Sequence, residues 1–166
     1  MIFYDAVTPA NIPDGAHACL YWDGLYKATA VQAARFSAVR WITVEGGTAA
    51  AAHAGAADAE QGNPVFDPAL LREWAVARKA MNARARVYTD RANLPRNWDA
   101  VSDLGNVVWW ISTLQLDNGR QWTAEELAGD IGASEKITIP LEKLWAVQYA
   151  GGVTAKTDTN LLFGTW

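Results

Sequence analysis

The chain has 166 residues, of which 51% are hydrophobic and 19% charged. That is enough apolar material for one domain with a real core, and it excludes a disordered chain. The formal net charge is −4 and no block of lysines and arginines stands out, which argues against nucleic-acid binding and against a polybasic membrane patch.

The single cysteine, Cys19, allows no disulfide within the chain. His17 and His53 sit at no ligand spacing to each other or to Cys19, so no metal and no cofactor are expected. Chemistry then falls to carboxylates, hydroxyls and amides. No apolar run reaches the roughly 18 residues of a membrane span. The opening Met1-Ile2-Phe3-Tyr4-Asp5 lacks the basic and apolar regions of a signal peptide, so synthesis in the cytoplasm without a leader is expected.

Short apolar runs alternate with polar segments along the chain. In order, strands are predicted at Ile2–Tyr4, Ala18–Trp22, Val39–Val44, Ala56–Glu60, Arg86–Tyr88, Val107–Ile111, Lys136–Ile139 and Leu144–Tyr149. The runs are continuous rather than alternating, as buried parallel strands are. A helix is predicted from about Ala30 to Phe36. The clearest helix opens with Asp67 as N-cap and Pro68 at its first position; Leu70, Trp74, Ala77 and Met81 form its apolar face. Another is marked by the capping box Thr123 and Glu126. The Ala-rich stretch from Thr48 to Ala57 reads as a loop. Strands alternating with helices indicate βαβ units, and the chain is read as a single α/β domain over 1–166. A full β/α barrel usually needs at least about 200 residues, so the expectation is a trimmed barrel with few helices after the last strands.

Three features can carry chemistry. Asp5 follows the first strand. Asp58 and Glu60 occupy i and i+2 of a short strand, so they project to one face. Two close carboxylates repel, and repulsion raises one pKa until that group can act as a general acid while the other stays charged. Glycosidic bond cleavage requires such a pair. Asp158-Thr159-Asn160 follows shortly after Trp145-Ala146-Val147-Gln148-Tyr149. Read singly, Asp-x-Glu is an ordinary solvated turn, and Asp5 is an ordinary cap.

Taken in order, Asp5, Asp58-Ala59-Glu60, Trp145-Ala146-Val147-Gln148-Tyr149 and Asp158-Thr159-Asn160 resemble the glycoside hydrolase family 25 lysozymes, the Chalaropsis type, which cleave bacterial peptidoglycan. The stretch Tyr4-Asp5-Ala6-Val7-Thr8-Pro9-Ala10-Asn11-Ile12-Pro13, with Tyr21-Trp22-Asp23-Gly24 and Val87-Tyr88-Thr89-Asp90-Arg91, is similar to a phage and actinobacterial glycoside-hydrolase-like branch of unknown function. The resemblance covers essentially the whole chain through short motifs. It implies a TIM-like β/α barrel whose last strands carry no helices. It also implies Glu60 as the acid, Asp58 as the group that orients the substrate's acetamido group, and Asp5 and Asp158 as supporting carboxylates. Bacterial cell-wall glycan is the implied partner. Several relatives use the substrate's own N-acetyl group as nucleophile, an exception to the two-carboxylate scheme.

Of the nine tryptophans and five tyrosines, Trp22, Tyr88, Trp110 and Tyr149 lie near strand C-terminal ends, the face that holds barrel active sites. With Gln148 they are the candidate substrate contacts; Trp41 and Trp74 read as packing. The chain departs from the family where Ala6 and Val7 follow Asp5, in its shorter length, and in the small residues of the strand bearing Asp58. Two alternatives therefore stand beside the enzyme. One is an inactive barrel kept as a glycan-binding or structural domain among phage virion proteins. The other is an unrelated β/α protein whose acids coincide.

Overall fold

The computed structural model describes residues 1–113, 123, 126, 137, 139–150 and 157–166. Eight strands close into a barrel in chain order: β1 (Ile2–Asp5), β2 (His17–Tyr21), β3 (Ala38–Thr43), β4 (Ala56–Asp58), β5 (Ala85–Asp90), β6 (Val107–Ser112), β7 (Leu144–Ala150) and β8 (Asp158–Leu162). From β1 to β7 each neighbouring pair is parallel. β8 runs antiparallel to both β7 and β1 and seals the barrel. Closure leaves no edge strand to be covered.

The helices with described bounds are short: α1 (Ala30–Ala33), α2 (Gly47–Ala51), α3 (Pro68–Ala80) and α4 (Leu94–Val101). α3 starts where its sequence says, with the Asp67 carboxylate accepting from the Ala69 and Leu70 N–H groups and Pro68 in the first turn. Thr123 and Glu126 exchange the two hydrogen bonds of the capping box; the helix predicted to follow it lies otherwise outside the described residues.

Four expectations are corrected. The buried face of α3 is Leu71, Trp74 and Ala75, while Leu70 and Met81 are exposed. Two stripes share Trp74, and the barrel selects the one beginning a residue later. The Ala-rich stretch is not all loop: Gly47–Ala51 is α2, because alanine's helix propensity acts even without an amphipathic pattern, while the strand expected from Ala56 forms as β4 and ends at Asp58. No strand forms at Ile137 or Ile139, with Lys136 and Thr138 outside the described residues. The eighth strand is Asp158–Leu162 instead. Finally, α1 stops at Ala33, short of Phe36.

Side chains sort by parity, except on β7, where a register shift between Leu144 and Ala146 puts the neighbours Trp145 and Ala146 in the same cluster. Phe3, Cys19, Ile42, Ala56, Val108, Trp110, Trp145, Ala146 and Leu162 fill the barrel interior. Phe3 meets Trp110 and Trp145 with ring centroids 5.2 Å apart, an edge-to-face contact in the first case. An eight-stranded barrel has about the width that side chains alone can fill. Outside it, Leu71, Trp74 and Ala75 from α3 pack with Val87, Trp109, Ile111 and Val147. The outer face of β1 and β2 packs Ala18 and Leu20 with Ile12, Ala28 and Phe36.

Cys19 is fully buried mid-barrel, and burial, with Asp5 above it, pushes its thiol well above the ordinary range. The thiolate is the reactive form. The native protein is therefore expected to resist a soluble thiol reagent and to label only on unfolding; rapid labelling under native conditions would contradict this placement.

Candidate active site

The parallel strands all deliver their C-terminal ends to one mouth, and polar groups gather there. β1 ends in Asp5 and β4 in Asp58. The β4 ladder runs one residue further, since the Ala59 N–H donates to the Tyr88 carbonyl at 2.9 Å. Ala59 therefore turns outward into the core and Glu60 returns to Asp58's side. A turn fixes this arrangement: Asn63 Nδ2 donates to the Asp58 carbonyl at 3.1 Å and the Asn63 N–H to the Glu60 carbonyl at 3.2 Å. The buried Asn97 of α4 donates to the Ala59 carbonyl at 2.8 Å and clamps the outer side. β8, being antiparallel, begins at this mouth, and its register sets Asp158 beside Asp5.

The four carboxylates named from sequence are thus brought together, and the electrostatics register their closeness. Burial, then the Asp158 charge beside it, raises Asp5 well above the usual carboxylate range. Asn160 Nδ2 donates to Asp5 Oδ2 at 2.7 Å, which opposes that rise in part. Burial lifts Asp58 to about 6, against the Tyr21 hydroxyl that donates to Oδ2 at 3.2 Å. Asp58 Oδ1 is buried with no partner. Glu60 is half-buried; burial first, then the charges of Asp58, Asp90 and Asp158, push it to about 8. At neutral pH it holds its proton while meeting the mouth.

Two tyrosines bracket the acids. Burial and the surrounding carboxylates keep Tyr21 and Tyr88 far above their ordinary pKa, so both are neutral donors. The Tyr88 hydroxyl bonds Gln148 Oε1 and also reaches Glu60 and Ser112. Trp110 lies fully buried beneath, its Nε1 donating to Asn160 Oδ1 at 2.7 Å and its ring 4.7 Å from that of Tyr88. Trp110, Asn160 and Asp5 therefore form one chain of hydrogen bonds linking the packed interior to the acids.

Two candidate contacts are not brought to the mouth. Trp22 turns outward, stacked on His53 at 4.3 Å and edge-on to Trp41 at 5.7 Å. Tyr149 is buried in the outer core with Ile111 and Val147. Each is one residue past an inward position, Tyr21 and Gln148, and one residue flips the face. The same parity identifies residues the sequence reading passed over: Tyr21 and Asn160 inside, and Asp90 two residues beyond Tyr88. Asp23 is a turn residue; its carboxylate takes the Val44 N–H at 2.8 Å and the Thr43 hydroxyl at 2.5 Å. Among the described residues no group of three or more histidine, cysteine or acidic side chains is arranged to hold a metal ion. No helix among them is long and apolar enough to cross a membrane.

A protonated carboxylic acid beside a second carboxylate, with neutral donors around them, can give a proton to a leaving oxygen and stabilise positive charge next to it. No protein-family model, characterised protein or solved structure matches the chain.

Proposed function

We infer that the chain is a glycosidase of the lysozyme kind, built on a TIM-like β/α barrel and acting on bacterial cell-wall peptidoglycan at an N-acetylmuramyl bond. The observation that carries this reading is the Asp58–Glu60 pair at the mouth, with Glu60 held protonated near neutrality by burial and by Asp58, Asp90 and Asp158. Glu60 gives its proton to the glycosidic oxygen as the C1–O bond breaks. Asp58, whose Oδ1 is unpaired, accepts the substrate's acetamido N–H and steadies the positive charge that forms as the acetamido oxygen closes on C1. Water then opens that intermediate at C1, and the Glu60 carboxylate takes back the proton, leaving a reducing end. Asp5, Asp158, Tyr21, Tyr88 and Gln148 fix the two acids.

Incubation with purified actinobacterial peptidoglycan, read by mass spectrometry, tests this: new reducing-end muramyl products are expected. Intact glycan from several sources would leave the barrel as a scaffold, such as a glycan-binding domain of a phage virion. If the chain acts outside the cell, release at lysis or incorporation in a virion would carry it there.

The two acids also set a pH profile. Asp58 must be ionised and Glu60 protonated. Activity should rise as pH passes about 6 and fall as it passes about 8, these being the values for Asp58 and Glu60. A bell centred near 7 in kcat/KM is the expected result. A maximum below pH 5, where both groups are protonated, would contradict the assignment.

A further inference from the structure

The barrel's polar interior is not confined to the mouth. At the opposite end, the floor, two inward side chains are arginines: Arg40 from β3 and Arg86 from β5. They converge on Gly55, which is itself fixed between the two strands. Its N–H donates to the Trp41 carbonyl at 3.0 Å, and its carbonyl takes the Arg86 N–H at 3.3 Å. Arg40 Nη1 and Arg86 Nη1 each lie 3.6 Å from the point where a side-chain carbon at Gly55 would stand. The two donors are therefore no more than twice that distance apart.

Arg86 is only 6% exposed, yet no hydrogen bond or ion pair holds its guanidinium among the described residues. The Nε groups of both arginines are buried without a partner. Their planes are occupied: Arg86 lies over Trp145 at 5.0 Å and Arg40 over Trp166 at 5.6 Å. Stacking uses the face of a guanidinium and leaves its N–H edge free to bind. Apart from the Cys19 thiol, the charges acting on Arg86 are cationic, those of Arg40, Arg78 and Arg84. A buried, uncompensated cation is costly, and proteins pair such groups. Arg40 is only half-buried, so part of its side chain meets solvent.

We propose that the barrel floor is an anion site, in which Arg40 and Arg86 together bind one phosphate-type oxyanion over Gly55. A tetrahedral anion can span two such donors with charge-assisted hydrogen bonds of about 2.8 Å. Glycine at position 55 leaves this space open, since a methyl group there would touch both Nη1 atoms at 3.6 Å and press on Arg40 Cδ at 3.3 Å, taking room that a bridging anion would need. The site lies at the other pole from the carboxylates and does not rest on the glycosidase reading.

Calorimetric titration of the whole chain with inorganic phosphate at constant ionic strength, chloride serving as control, tests this. One site per chain is expected. Arg86→Gln and Arg40→Gln should each weaken it about 10–100-fold, the worth of a charged hydrogen bond. Gly55→Ala keeps both charges, and Gly55 does not need the left-handed backbone region; it should fold and abolish binding. In phosphate-free buffer Arg86→Gln should melt higher than wild type, and saturating phosphate should reverse that order. Glycerol phosphate, run beside inorganic phosphate, separates an esterified phosphoryl group from the free ion, and binding of either supports the site. No phosphate binding beyond the chloride control, or binding that survives Gly55→Ala, would overturn it. Should Arg86→Gln fail to fold, Gly55→Ala and Arg40→Gln decide the question.

Discussion

If the chain is the proposed glycosidase, Glu60→Gln is expected to remove nearly all hydrolysis and to leave the barrel folded. Glutamine keeps the shape and the hydrogen bonds but has no proton to give the leaving oxygen, and general acid catalysis contributes about 10²–10⁴-fold. Asp58→Asn should also be severe, since the developing positive charge loses its nearest carboxylate.

The same substitution carries a stability signature. Glu60 has its folded pKa raised from 4.5 to about 8. The folded state then holds a proton that the unfolded state has released, so wild-type stability falls as pH rises through this window. Glu60→Gln removes that dependence. The variant should match wild type at pH 4 and exceed it at pH 8, by an amount on the order of 2–4 kcal/mol after allowing for the part of the side chain that meets water. Paired melting curves at the two pH values check the sign. Unchanged turnover in the variant would remove Glu60 as the acid, whatever the melting curves show.

Trp110→Ala is expected to be the most damaging interior substitution connected to the site. Trp110 is 1% exposed and packs on Phe3, Tyr88 and Trp145. Deleting a buried ring of this size costs about 3–5 kcal/mol, roughly 10 °C in Tm for a chain of this length. It also strands Asn160 Oδ1, which takes the Trp110 N–H, and so frees the amide that donates to Asp5. Trp110→Phe separates the two effects: the ring largely stays, the donor goes, and the loss should be about 1–2 kcal/mol. Urea denaturation of the three proteins measures both. Equal losses for Ala and Phe would mean that the hydrogen bond, and not the packing, dominates.

What the sequence announces and what it hides follow from where each element keeps its apolar residues. β2, β6 and β7 are sandwiched between the barrel interior and outer packing, so they are largely apolar on both faces and read as continuous runs; β3 reads the same way because Val39, Trp41 and Ile42 flank its one inward charge, Arg40. The α3 start is equally plain because Asp67-Pro68 acts locally. β8 is silent because its inward residues are Asp158, Asn160 and Leu162, two of them polar for work at the mouth. α4 is silent because its buried face is only Leu94, Asn97 and Val101, and the middle one is polar, clamping the Ala59 carbonyl. The acids are legible as residues following strands. The aromatics beside them are not, because choosing between Tyr21 and Trp22, or between Gln148 and Tyr149, needs the pleat's phase, and the continuous apolar runs erase it. The floor arginines escape notice since they stand 46 positions apart as Arg40 and Arg86 and meet only once β3 and β5 flank β4.

The antiparallel β8 has a bearing on how the molecule comes into being. The bond from Asn160 to Asp5 joins residues 155 positions apart. During synthesis β1 must wait beside an empty place until almost every other strand has been made, with its hydrogen-bonding edge uncovered. A chain that closes on its own beginning in this way folds late and slowly, and its waiting edge is the place where a chaperone or a neighbouring nascent chain would attach. Asp158 arrives with the strand that ends the wait, so the acid cluster is assembled in the step that closes the ring.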